Sequence, residues 1–137
     1  MHDRIIGGSL PSNGALAFIG DARYSLFVRE MLVREGLSKS KDLNIAAQKY
    51  VTAEAQSFML GAIEDMLLDD ERDVVRRAAN STHLNKPKRA SGQDYRRATG
   101  FEALVGMLHF IGDEERLSEL LGIAHRALNE TFKADNK

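Results

Sequence analysis

The chain has no cysteine. That excludes a disulfide framework, a thiolate zinc site and a cysteine nucleophile, and it is compatible with a reducing compartment. No apolar run approaches the roughly 18–20 residues of a membrane span. Residues 1–10 lack the long apolar centre of a secretory signal. A cytoplasmic protein without membrane contact is expected. Net charge is scarce too: 19 basic residues against 20 acidic ones leave −1. The molecule as a whole is no polyelectrolyte, so any affinity for nucleic acid must come from a local patch. Motifs of several enzyme classes are missing. No glycine-rich phosphate loop with a following lysine occurs, which argues against nucleoside triphosphate hydrolysis. Gly-x-Ser-x-Gly and His-Glu-x-x-His are absent. No helix carries the paired acids of a di-metal bundle, and Glu64, Asp65 and Glu71 do not supply those a helical pyrophosphohydrolase needs. No segment alternates with period two, and no heptad is sustained.

What is present is helical rhythm. With 137 residues, 43% of them apolar and 28% charged, the chain is long enough for one domain with one real core. The pattern predicts an all-α domain of about six helices over residues 13–132, with an extension at 1–12 and a tail at 133–137. Pro11, Ser12 and Asn13 stop and cap a first helix over 13–34, which Gly36 ends. Its two apolar stripes are Leu16, Ile19, Ala22, Leu26 and Val33, then Phe18, Asp21, Ser25, Val28 and Leu32. A helix apolar on both sides is read as central and buried. A second helix spans 40–50. Thr52 caps a third over 53–68, with Ala55, Phe58, Met59, Ala62, Ile63 and Met66 as its core face. Asp69 and Asp70 open a short helix over 71–79, and a loop follows over 80–88. Ser91 or Gln93 begins the next helix, which ends at Gly112. Asp113 caps the last, with Leu117, Leu120, Leu121, Ala124 and Leu128 inward.

Two acids stand out against this pattern. Asp21 is the only charge in residues 14–22, and Glu102 is the only acid in residues 98–111. Both stretches read as buried helix. A carboxylate taken from water without a partner is costly, so each calls for a cation. Asp21 is expected to face the interior, a partner chain or a cleft. Either a metal ion is shared by the two acids or an Arg from elsewhere pairs with each. Gly20, Gly100 and Gly106 lie mid-helix beside them, where glycine costs about 1 kcal/mol against alanine. Close approach of another helix or of a ligand would explain all three. His109 shares the face of Glu102 and reads either as a ligand or general base or as a core histidine. His83 could touch substrate, whereas His2 and His125 read as terminal or exposed.

The second constellation is basic. Arg76, Arg77, Lys86, Lys88, Arg89, Arg96 and Arg97 fall within 22 positions, with Asp94 the lone acid among them. Such a cluster suits a phosphate backbone, whose neutralisation releases counterions. Asn80, Ser81, Thr82, His83 and Asn85 can contact phosphates or ribose hydroxyls. The alternative is a solvated loop that balances the acids of residues 64–73. An isolated acid on each of two helices beside this patch fits a hydrolase whose chemistry is done by divalent ions.

Ala17-Phe18-Ile19-Gly20-Asp21-Ala22 resembles the signature helix of the ribonuclease III family, and Phe101-Glu102-Ala103-Leu104-Val105-Gly106 resembles its second acidic helix. Lys49-Tyr50-Val51-Thr52-Ala53, Ala55-Gln56, Val75-Arg76-Arg77 with Asn80, and Tyr95-Arg96 with Thr99 add a resemblance to the family's short, catalytic-domain-only branch, Mini-ribonuclease III. The likeness spans about residues 13–130. It implies a homodimer that holds double-stranded RNA in a groove, with Asp21 and Glu102 as catalytic Mg²⁺ ligands and Mn²⁺ as a substitute. It implies cleavage to 5′-phosphate and 3′-hydroxyl ends, with Arg76, Arg77, Asn80, His83, Lys86, Lys88, Arg89, Arg96 and Arg97 on the RNA. The branch is associated with precursor 23S (large-subunit) ribosomal RNA, and a ribosomal protein that presents this substrate is a further candidate partner. Ala17 and Thr99 stand where larger members carry two more acids, as in the short branch. Ala78-Ala79 departs from the expected Gly-Arg. A non-catalytic RNA-binding or ribosome-associated module on the same fold is the competing reading.

Overall fold

A nearly all-round buried helix, α5 (Gly92–Phe110), forms the axis around which the rest is arranged. The computed structural model describes residues 9–81 and 91–135. The other helices are α1 (Asn13–Arg34), α2 (Ser40–Val51), α3 (Ala53–Ile63), α4 (Asp69–Ser81) and α6 (Glu114–Asp135), and a 3₁₀ turn spans Glu64–Met66. Among the described residues there is no strand. The all-α expectation and the helix order hold. Local signals set the boundaries. Ser12 Oγ accepts the Ala15 N–H at 3.1 Å, Thr52 Oγ1 the Ala55 N–H at 3.0 Å, and Ser91 Oγ the Asp94 N–H at 2.9 Å. These bonds satisfy donors that a helix start leaves unpaired. Gly36 (φ 103°) and Gly112 (φ 80°) end α1 and α5 in the left-handed region that side chains disfavour.

Helix α1 crosses α5, which also packs on α3 and α4, while α6 closes the far side of α3. The buried side of α1 is one stripe at four-residue spacing: Leu16, Gly20, Tyr24, Val28 and Leu32. Burying such aliphatic and aromatic side chains stabilises the fold by about 1.5–3 kcal/mol each. Tyr24 anchors the crossing. Its ring meets Phe101 edge to face at 5.4 Å, and its hydroxyl donates to the Tyr50 carbonyl at 2.7 Å.

Four expectations need correction. Helix α1 is not buried on both sides, for Phe18 is 82% exposed and Leu26 and Val33 are exposed with it. Phe18, Leu26 and Val33 are left open among the described residues. Helix α3 ends at Ile63 rather than near residue 68. It buries Gln56, Ser57 and Leu60 while Phe58 and Ala62 face outward. The cause is tertiary: polar groups of α5 meet Gln56 and Ser57, and apolar spacing does not register that need. Helix α4 runs on through Asn80 and Ser81, which were read as loop. His125 is half-buried, packed against the rings of Phe27 and Tyr50, and burial pushes its imidazole below the usual range.

Candidate active site

The two singled-out acids meet where α1 crosses α5. The crossing is unusually close because both helices present glycine there. A Cβ on Gly20 would lie 1.6 Å from the Glu102 carbonyl oxygen, and one on Gly106 would lie 1.9 Å from the Leu16 carbonyl oxygen. Backbone therefore packs on backbone, and neither position accepts a side chain. This is the close helix approach expected of these two glycines. Gly100 does the same toward α4, where a Cβ would sit 3.0 Å from Val75.

The contact brings the two carboxylates together. Burial pushes the Glu102 carboxyl up to about 7, and the negative charge of Asp21 adds to the shift. The nearby Gln56 side-chain amide works in the opposite direction. Among the described residues, no Lys or Arg pairs with either acid. The Arg alternative is thus not what this region contains.

Asp21 itself is exposed rather than buried, and this corrects one half of the expectation. Of the surroundings foreseen for it, a cleft is the one observed. Asp21 lines an open cavity of about 430 Å³ together with Phe18, Ile19, Ala22, Arg23, Leu26 and His109. Phe18 and Leu26 beside it are apolar yet uncovered, which is why the sequence reads as interior. His109 is exposed, so it is no core histidine. It lies at the rim of that cavity, with Nδ1 3.6 Å from Glu114 Oε1. Arg23 reaches the same Glu114 carboxylate at 3.2 Å.

Do these residues suit a divalent cation? Two adjacent carboxylates form a hard, all-oxygen donor set, the kind Mg²⁺ takes once or twice from protein while keeping waters and substrate phosphates. The raised Glu102 carboxyl records its burial first and the neighbouring charge of Asp21 second, and a bound cation would offset both. The buried Gln56 Oε1 also has no hydrogen-bond partner among the described residues. Among those residues no group of three or more His, Asp or Glu gathers into a metal cluster. Thr99, in the place of a further acid, turns its hydroxyl to the Tyr95 carbonyl of its own helix at 3.0 Å. The donor set is therefore two carboxylates, and it fits.

The basic residues fall into three groups. Arg76 and Arg77 stand exposed on α4, both paired with Asp73 one turn back. Arg96 and Asn80 are exposed as well. Arg97 is different. Its guanidinium makes a forked pair with Glu64 at 3.0 and 3.1 Å and donates from Nε to Ser57 Oγ at 3.1 Å. It ties α5 to α3 and holds the Glu64 carboxyl below the usual range, so its donors are committed inside the molecule. His83, Lys86, Lys88 and Arg89 lie outside the described residues. The residue that sequence reasoning missed is Gln56, since a lone amide in an apolar helix gives no signal until its partner is known.

A ribonuclease III domain matches residues 14–113. The Mini-ribonuclease 3 of Symbiobacterium thermophilum is 46% identical over 109 residues, which cover 80% of this chain and 84% of that protein. The Mini-ribonuclease 3 of a Thermoanaerobacter species is 42% identical over 115 residues, covering 84% and 81%. A crystal structure of a Fusobacterium nucleatum protein superposes with a TM-score of 0.76 at 28% identity, covering 82% of this chain and 91% of that one. An all-α fold with two acids at a glycine crossing defines the class, and the chain belongs to the ribonuclease III family of endoribonucleases. Within that family its similarity is to the Mini-ribonuclease 3 enzymes.

Proposed function

We propose that the chain is a divalent-metal-dependent endoribonuclease that cuts double-stranded RNA as a homodimer, leaving 5′-phosphate and 3′-hydroxyl ends. One observation carries the reading: carboxylates from two different helices lie close enough at the glycine crossing for the charge of Asp21 to raise Glu102, and among the described residues no ion pair of Lys or Arg is made with either. Asp21 and Glu102 would hold Mg²⁺. When bound, such an ion makes a coordinated water more acidic and stabilises charge on the scissile phosphate. Asp21, open to the cleft, is the acid that substrate approaches. Glu102 is set deeper. Arg76, Arg77, Asn80 and Arg96 offer exposed donors to an A-form backbone, which proteins read by shape rather than by bases. Precursor large-subunit ribosomal RNA is the proposed natural substrate, in keeping with the resemblance in the sequence.

The test is cleavage of a long RNA duplex with Mg²⁺ or with chelator. Asp21→Asn and Glu102→Gln should each lower turnover by at least about a thousandfold, with helical content unchanged. Wild-type turnover by either variant would sink the assignment.

The uncovered stripe of α1 supports the dimer. Phe18 is 82% exposed at the mouth of the acid-bearing cavity. Large exposed apolar groups at a functional cleft mark interaction surfaces. Phe18→Glu should change the stability of an isolated chain by less than about 0.5 kcal/mol, yet shift sedimentation from dimer to monomer. A dimer of undiminished affinity would remove Phe18 from the interface.

A further inference from the structure

A relay of polar groups that the proposed chemistry does not use joins the end of α2 to α6. The Tyr50 hydroxyl donates to Asn129 Oδ1 at 2.8 Å, and Asn129 Nδ2 lies 3.0 Å from His125 Nε2. The two contacts fix one another. A hydroxyl bound to Oδ1 sets the Asn129 amide with its nitrogen toward the imidazole. That nitrogen only donates, so Nε2 accepts, and the single proton of the neutral ring sits on Nδ1. The rings of Phe27 and Tyr50 pack on this imidazole at 5.7 and 5.4 Å. Tyr50 also meets the Phe132 ring at 5.4 Å and takes the Tyr24 hydroxyl on its carbonyl, so α1, α2 and α6 converge on it. A second proton on His125 would set N–H against N–H. Turning the amide over would offer Oδ1 to the imidazolium, but the Tyr50 hydroxyl would then lose its acceptor. Each response breaks a link of the relay in part-buried surroundings, which is unfavourable. The charged groups around the ring do not remove this cost. Arg23, Glu30, Arg34 and Glu35 of α1 share a cavity of about 520 Å³ with His125 and Ser118, and Arg126 follows the ring on α6. Burial opposes the second proton most, Glu35 favours it and Arg126 opposes it. Tyr50, the titratable group that α2 brings to the ring, is held protonated by its burial.

We infer that Tyr50, Asn129 and His125 form a proton-sensitive latch, which ties the C-terminal half of α6 to α2 while His125 is neutral and releases it when His125 takes a second proton. Folded His125 binds that proton less readily than the unfolded chain does. The latch therefore contributes fully above about pH 6.5, the ordinary value of the ring, and its contribution is lost as pH falls below that value. The acid pair has no part in it.

Nuclear magnetic resonance of the isotope-labelled full chain, followed from about pH 8 to about pH 5, tests it. At the alkaline end Nδ1 of His125 should be the protonated nitrogen and Nε2 the bare one. The titration midpoint of the ring should lie below 6.5. Amide protection over residues 125–133, measured against that of α5 in the same sample, should fall by about fivefold or more as His125 becomes charged. Asn129→Asp should reverse the sign, because a carboxylate accepts from the imidazolium: the midpoint rises above 6.5 and protection is kept in acid. A proton on Nε2 at the alkaline end, or a wild-type midpoint at or above 6.5, overturns the tautomer and with it the latch. Protection that stays level across the titration overturns the release. Should Asn129→Asp not fold, the wild-type measurements decide alone.

Discussion

Two carboxylates of this chain are set deep in it, and they are treated in opposite ways. Glu71 is 0% exposed. It accepts the Leu68 N–H at 2.8 Å and a fork from Arg116, Nε at 2.9 Å and Nη2 at 2.8 Å. Arg116 in turn donates to the Met66 carbonyl at 2.7 Å and to Glu119 at 2.9 Å, and its guanidinium is held more firmly protonated by Glu71. That pair opens α4 and ties it to α6. Glu102 faces another acid instead, and its carboxyl is pushed up to about 7. The fold thus supplies an arginine to the carboxylate of Glu71. Under the proposed function the cation that answers Glu102 would come from outside. A buried acid by itself says little; the sign of what surrounds it separates a strut from a site.

Removing the charge of each acid is the widest test of this contrast. Glu71→Gln leaves Arg116 without its main partner and should cost about 3 kcal/mol, read by urea unfolding. Glu102→Gln in chelator should cost nothing or stabilise, because a like-charge contact disappears. Equal losses from the two would erase the distinction.

Acidity offers a second test of similar size. The folded carboxyl of Glu102 titrates near 7 and the unfolded one near 4.5. Between those values the folded state keeps a proton that the unfolded state has released. Its contribution is therefore fully present below about pH 4.5 and is lost as pH rises through 7, a fall of about 3 kcal/mol. Unfolding in chelator from pH 4.5 to 8 should show that slope in wild type minus Glu102→Gln. Saturating Mg²⁺ at pH 8 should restore what is lost. A flat difference would mean that neither burial nor Asp21 raises the Glu102 carboxyl.

The smallest effect belongs to a third kind of carboxylate. Asp73 pairs with Arg76 and Arg77 on the open surface of α4, where such pairs are worth about 0–1 kcal/mol. Replacing both arginines by alanine should leave unfolding within that range. It should lower the salt slope of RNA binding by up to about two. An unchanged slope would take α4 off the RNA.

The same contrast explains what the sequence could disclose. Glu102 and Asp21 were visible because each is the lone acid of an apolar stretch. Glu71, more deeply buried than either, was hidden among Asp69, Asp70, Arg72 and Asp73, where local pattern reads as surface. The caps at Ser12, Thr52, Ser91 and Asp113 and the stops at Gly36 and Gly112 were legible because each is a local chemical event. The uncovered side of α1 was not, since Phe18, Leu26 and Val33 have the composition of a core whether their cover comes from this chain or from another. Nor could residue spacing separate Arg97 from Arg96. One is locked to Glu64 across 33 positions, and the other is exposed.

The glycine crossing has a consequence for how such a site can vary. A contact between side chains has rotamers, and so it has slack. The contact between Gly20 and the Glu102 carbonyl has none, and the residue that follows one partner and the residue that owns the other are the two acids themselves. The gap between Asp21 and Glu102 is thus gauged by main chain against main chain. Repacking the core elsewhere does not widen it, and no substitution at either glycine can narrow it. Differences in rate or in choice of RNA among chains of this build must be written around that fixed gauge, in the residues that frame it.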